Sequence, residues 1–304
     1  MDVALIRQQF PVFSVPSLEG AVFFDGAAGT QMCSRALEAS VRASIENNAN
    51  LGGHFSTSII AEQDLDRARS AAAALLNASC AQEIVFGQNM TALTFHMSRC
   101  IGRSLRKGDE IVLTRSDHEA NISPWLELAK DLELTVRWLP FDFETYGFDL
   151  SQAASLITER TRVVALSYAN NVTGTINDVA AVAALARNMG AIVYVDAVQY
   201  APHGVIDVQA LGCDLLACSS HKLYGPHQGV LWGRLALLEQ LIAYKPRPTL
   251  DKPPYKFETG TKSREAIAGV GGAIEHLARI GRTLGGSPVN GSQRNQIVSG
   301  MHAV

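Results

Sequence analysis

Short runs of β-branched and apolar residues recur along this chain, each followed by a longer stretch whose apolar positions repeat at helical spacing. The runs are EIVFG (Glu83 to Gly87), EIVLT (Glu110 to Thr114), LTVRWL (Leu134 to Leu139), RVVALSY (Arg162 to Tyr168), AIVYVD (Ala191 to Asp196), DLLACS (Asp214 to Ser219) and GVLWG (Gly229 to Gly233). Their alternation with helical segments predicts an α/β fold, a mostly parallel seven-stranded sheet covered by helices. Helical spacing marks Asp64 to Leu76, Thr91 to Leu105, Pro124 to Asp131 and Val179 to Asn188. The Pro- and Lys-rich stretch YKPRPTLDKPPYKF (Tyr244 to Phe257) predicts an exposed loop before a last helix from about Arg264 to Ile280. Beyond it the chain turns rich in Gly, Ser and Asn.

Composition narrows the functional classes. With 304 residues and 47% hydrophobic content, the chain can bury the core of one large domain. The net charge of -3, with Lys and Arg dispersed, gives no footprint for nucleic acid or an anionic membrane. The longest apolar run, Val179 to Ala186, is too short to span a bilayer, and MDVALIRQQFPVF lacks the apolar core of a signal peptide. Cys33, Cys80, Cys100, Cys213 and Cys218 form no CxxC pair and no zinc-site spacing. Reduced thiols, no metal, a cytoplasmic location and a small-molecule ligand are the expectations.

In open α/β sheets ligands gather outside the carboxyl ends of the strands. The residues there are polar: Gln88, Asn89 and Thr91 after the first run, Asp117 and His118 after the second, Asn170 and Asn171 after the fourth. Asp196 and Gln199 follow the fifth, and Ser219, Ser220, His221 and Lys222 the sixth. A lysine held at a strand end beside the cleft loses its proton by desolvation, and only the neutral amine attacks a carbonyl. Lys222 is either that lysine or a solvated one; its neighbours Ser219 and His221, which can donate to a phosphate, favour the first reading. Asp196 can hold a pyridine nitrogen protonated, or serve as a cap or ion-pair partner. Thr91 opens a helix and is either part of a phosphate cradle or a plain N-cap. His118 is either a stacking or proton-moving imidazole or a hydrogen-bonded residue at a strand end. GVGGAI at Gly269 continues a helical segment and is no dinucleotide fingerprint. Adjacent Ser220 and His221 cannot form a hydrolase pair.

Several motifs between Phe23 and Gly281 then resemble, in order, those of the class V, fold-type I, pyridoxal-phosphate (PLP) family of cysteine desulfurase-like proteins. They are FFDGAAGTQ, EIVFGQNMTALT, GDEIVLTRSDHEANISPW, NNVTGT, VDAVQY, DLLACSSHKLYGP and KFETGT. The resemblance implies an N-terminal arm over 1–20, a PLP-binding large domain over 21–282, and a linker over 283–304 toward a C-terminal small domain that is missing. It implies PLP as cofactor, with Lys222 as the Schiff-base lysine and His118 and Asp196 as further catalytic residues. Met90, Thr91, Asn171, Gln199, Ser219, His221 and Thr261 would contact the cofactor, Thr261 reaching the phosphate of the other subunit of a homodimer. Ala28, His54 and Asn171 would line the substrate side, for cysteine or a related amino acid. C–S bond cleavage is the preferred reaction, with transamination, epimerisation or PLP binding without turnover as alternatives. Two departures stand out. Asn89-Met90-Thr91-Ala92 replaces the family's Gly-Thr-Thr-Glu turn, and paired histidines are reduced to His118 and Glu119. The family's carboxylate-binding arginine and persulfide cysteine have no counterpart, and of the five cysteines Cys33 is expected nearest the site.

Overall fold

The computed structural model describes residues 3–304; Met1 and Asp2, the start of the expected N-terminal arm, lie outside the described residues. Seven strands form where the apolar runs stand: β1 (Ile84–Gly87), β2 (Glu110–Thr114), β3 (Thr135–Leu139), β4 (Thr161–Ser167), β5 (Ile192–Asp196), β6 (Leu215–Ser219) and β7 (Gly229–Gly233). They make one sheet in the order β1-β7-β6-β5-β4-β2-β3, and β7 alone is antiparallel to its neighbours. The carboxyl ends of the other strands therefore share one edge. The helices are α1 (Val3–Arg7), α2 (Ser34–Glu46), α3 (Ser56–Leu76), α4 (Met90–Gly102), α5 (Ser123–Leu132), α6 (Leu150–Leu156), α7 (Val179–Asn188), α8 (Val208–Leu211), α9 (Leu235–Gln240), α10 (Arg264–Thr283) and α11 (Gln293–His302).

Apolar runs without polar alternation suit strands buried on both faces, and two cores flank the sheet. Val193 and Val195 of β5 point into one with α3, α7 and α10, while Tyr194 between them points into the other with α4 and α5. The same alternation places Val112 on the first face and Ile111 and Leu113 on the second.

Three stretches differ from the sequence reading. Helix α3 starts at Ser56, a full two turns before Asp64, because Ile59 and Ile60 are exposed and blur the apolar stripe. The Pro-rich loop ends buried: Lys256 donates to the carbonyls of Leu241 (2.7 Å) and Glu239 (3.0 Å), and Phe257 joins the core. Just beyond, Glu258 accepts from Arg69 of α3 at 2.7 and 3.1 Å and from the Phe86 amide at 2.8 Å, pinning the KFETGT segment to β1. The third stretch is 283–304, read as a linker. It instead carries α11, packed on α10 at backbone distance: a Cβ on Gly281 would stand 1.8 Å from the Gln296 carbonyl, and one on Gly300 1.9 Å from that of Leu277.

Candidate active site

A cavity of about 510 Å³ opens at the carboxyl edge of the sheet. Strand β6 ends at Ser219 and runs into a single turn, Ser220 to Lys222, which carries the lysine to the cavity floor. This turn is tight because Gly225 closes on it: a Cβ there would meet the Ser220 hydroxyl at 2.0 Å. Lys222 is 9% exposed and donates to the Ala27 carbonyl. Burial pushes its pKa down, and Asp196 offsets this only in part.

The turn is fixed from above by the opening segment of the chain. The Thr30 amide and hydroxyl donate to the His221 carbonyl at 2.9 and 3.1 Å, and the same hydroxyl accepts from the Tyr224 amide at 2.8 Å. The Ala27 carbonyl also accepts from Gln199 at 2.7 Å. Ala27 and Ala28 thus form one wall of the cavity. Nothing in the sequence marks Ala27, since it acts through its backbone.

Asp196 ends β5 at 6% exposure and accepts from the Val198 amide at 2.8 Å. Burial lifts its pKa to about 6, against the bond from the Val198 amide and the nearby His118 and Lys222 side chains. A carboxylate and an amine, both poor in water, therefore share the cavity.

Helix α4 begins on the far side of the floor. Asn89, not Thr91, is its N-cap, accepting from the Ala92 amide at 2.8 Å. The plain-cap reading of Thr91 is thereby corrected; Thr91 is the second helical residue and lines the cavity beside Met90. Helix-start amides and the positive dipole end suit an anion there. Glycine at 229 brings β7 against this turn, since a Cβ would meet the Asn89 carbonyl carbon at 2.5 Å. His118 accepts at Nδ1 from the Ala120 amide (3.0 Å) and presents the rest of its ring to the cavity. His221 stacks on His227 with ring centres 4.9 Å apart, and burial lowers its pKa, with Lys222 and His227 adding to the effect.

Of the residues singled out in the sequence, Ala28, Met90, Thr91, His118, Asn171, Asp196, Gln199, Ser219, His221 and Lys222 all line this one cavity. His54 lies exposed outside it. Thr261 lines a separate hollow of about 470 Å³ with Gln88, His96 and His227. Cys33 is buried among Phe10, Ala36 and Ala273 instead of lining the cavity, and burial raises its pKa. Ser116 and Ser167 also line the cavity, and nothing in the sequence marks them. The donor set fits PLP: a buried amine for its aldehyde, a buried carboxylate for its ring nitrogen and a helix start for its phosphate.

Residues 22–284 match the family model for aminotransferase class-V, and the chain belongs to that family. It is 32% identical over 292 residues to a cysteine desulfurase of Yersinia pestis (strain Pestoides F), covering 91% of this chain and 72% of that one. It is 38% identical over 242 residues to the aminotransferase-like protein FGM3 of Gibberella zeae, covering 78% and 58%. The crystal structure of the cysteine desulfurase CsdA from Escherichia coli matches with a TM-score of 0.81 at 30% identity, covering 94% of this chain and 76% of that one. The expected class V, cysteine desulfurase-like family and its α/β fold are borne out.

Proposed function

We propose that this chain is a PLP-dependent enzyme of the cysteine desulfurase-like kind, acting on an amino acid and holding its cofactor through Lys222. The observation that carries the reading is the pairing of a desolvated lysine with a desolvated aspartate in one cavity at the sheet's carboxyl edge. Bound PLP supplies a carbonyl that an amine attacks and a ring that draws electrons from the adjacent carbon. Lys222 would hold the cofactor through Nζ and, when that amine is free, would hold or return a proton there. Asp196 would bond the ring nitrogen and favour its protonated form. Thr91, Ser219, His221 and the first amides of α4 would hold the phosphate, and His118 would lie against the ring. Gln199 and Asn171 line the same cavity. In a homodimer, Thr261 would reach the phosphate in the partner's cavity.

Sulfur transfer is the finer part of the proposal, and the thiols weigh against efficiency in it. A persulfide carrier has to be an accessible thiolate. Burial raises the pKa of Cys33, Cys100, Cys213 and Cys218 alike, and none of the five cysteines lines the cavity. The cavity lining also holds no arginine for a substrate carboxylate. That observation favours a second reading, PLP binding without turnover. Absorbance spectra of the PLP-loaded protein titrated with cysteine and alanine separate the two. An amino-acid-dependent change supports the enzyme; a spectrum fixed under every amino acid supports binding alone.

A further inference from the structure

Between two residues that line the cavity, Ser116 and His118, stands a second carboxylate, on a half-buried residue. Asp117 follows β2, one residue before His118, and its side chain turns inward. Oδ2 accepts from Asn121 at 2.9 Å, while Oδ1 is sealed from solvent and has no hydrogen-bond partner. Asn121 is itself engaged, its Oδ1 accepting from Trp125 Nε1 at 3.3 Å. The hydroxyls of Ser167 and Thr114 approach the carboxyl group, yet both are buried without a directed bond.

An ionised carboxylate with an orphaned oxygen is costly in such a place, because desolvation of a charge exceeds that of a neutral group by several kcal/mol or more. A carboxylic acid is not, because its O–H can donate to a hydroxyl that otherwise lacks a partner. Charges around the group point the same way. Asp196 faces it from the end of β5 and repels a negative charge, whereas the neighbouring Arg115 stacks over Trp138 at 5.1 Å. His118 and Lys222 face Asp196 and favour its ionisation. Ser167 stands opposite Asp196 in the register of β4 and β5.

We propose that Asp117 is a positioning residue for this cavity: as a neutral carboxylic acid it donates to the Ser167 hydroxyl and leaves Asp196 as the ionised carboxylate facing the cofactor. Two carboxylates so placed do not both ionise readily, and the one without basic side chains beside it keeps the proton. Burial first, then repulsion by Asp196, raises the pKa of Asp117 to about 8, above the value of about 6 for Asp196, and the approach of Ser167, Asn121 and Thr114, which favours the carboxylate, offsets this only in part. Asp117 touches neither cofactor nor substrate in this role. It sets the charge and the hydroxyl orientation of the groups that do.

The role rests on the cofactor reading of Asp196, but the protonation of Asp117 does not, so the experiment has two arms. Infrared difference spectra of the cofactor-free protein at pH 7 should show the carbonyl stretch of a carboxylic acid. That band should disappear in Asp117→Asn and persist in Asp196→Asn. A band that survives in Asp117→Asn, or is absent from the parent protein, overturns the proposal whatever the cofactor. In the second arm, protein loaded with ¹⁵N-labelled PLP is followed by nitrogen NMR. Asp117→Asn, isosteric with the neutral acid, should keep the protonated ring-nitrogen signal, and Asp117→Ala should weaken it while circular dichroism stays native. Loss of the signal in Asp117→Asn overturns the positioning role. Failure of the parent protein to bind PLP overturns the cofactor reading, and the positioning role with it, while the first arm still decides the proton.

Discussion

The two ends of the central strands carry carboxylates of opposite character. At the amino edge Glu83, Glu110 and Asp214 are each paired. Glu110, which opens β2, is 1% exposed, yet it meets Arg137 and Arg160 at 2.9 Å and accepts from Thr158 at 3.1 Å. Burial alone would raise its pKa, and the Arg137 and Thr158 hydrogen bonds and the arginine charges overcome that and hold it low. Asp214 pairs with Arg234 at 2.7 Å and accepts from the Val193 amide, and Glu83 accepts from Trp232 Nε1 at 3.0 Å. At the carboxyl edge, Asp117 and Asp196 are desolvated with no arginine bonded to them, and both have raised pKa values. One edge is stabilised by its charges; the other keeps its charges poorly satisfied, as sites of chemistry do.

Breaking this contrast should produce different failures at the two edges. The largest effect is expected from Asp196→Ala. Loss of a preorganised charge at a reaction centre costs about 10²–10³ in rate, so exchange of the α-hydrogen of amino acids should fall by that factor while PLP remains bound. Undiminished exchange would remove Asp196 from the mechanism. Next, Thr261→Ala should weaken PLP retention, because a charge-assisted hydrogen bond contributes about 1.5–3 kcal/mol. Full cofactor occupancy in a protein that sediments as a monomer would refute the shared site. Glu110→Gln, at the amino edge, should lower unfolding free energy by about 1–3 kcal/mol and leave cofactor absorbance per folded molecule unchanged. Denaturant titration alongside absorbance distinguishes the two.

The smallest effect is in the pH dependence of the cofactor-free protein. Asp117 and Asp196 both hold protons in the folded state above the unfolded value of 3.8. The folded state therefore binds more protons than the unfolded one, and their contribution, complete below about pH 4, is lost as pH rises through about 6 and about 8. Glu110 and the other carboxylates with lowered pKa are already ionised across most of this window. His96, His221 and His276, whose pKa values burial lowers, act in the opposite sense below about pH 6.5, so the contribution is read as a difference: between pH 5 and pH 8 stability should fall with pH relative to Asp117→Asn. An equal slope in both proteins would contradict the assignment.

The strands were legible because burial on both faces writes them as unbroken apolar runs; each matches its run to within one residue at either end. Helix α2 was not, since its buried positions Ala36, Ala39 and Ala43 are small residues that carry little hydrophobic contrast. Helix α11 was hidden for a related reason. Its packing depends on Gly281 and Gly300 letting two backbones touch, and a glycine-rich tail reads as irregular. The position of Lys222, Asp196 and His118 at the cavity was legible because each follows a strand whose carboxyl end opens on that edge of the sheet. Asp117 stood beside them without distinction, as only the fold shows that its carboxylate turns inward toward Ser167 and Asp196. His54 was singled out by resemblance, and the chain places it on an exposed loop.

Attachment of the cofactor to Lys222 is the claim on which the functional reading depends. The purified protein, incubated with PLP, reduced with borohydride and digested, should yield one pyridoxyl-labelled peptide, carrying its label on Lys222 within the sequence that follows β6. Label on another lysine, or no label at all, would contradict it.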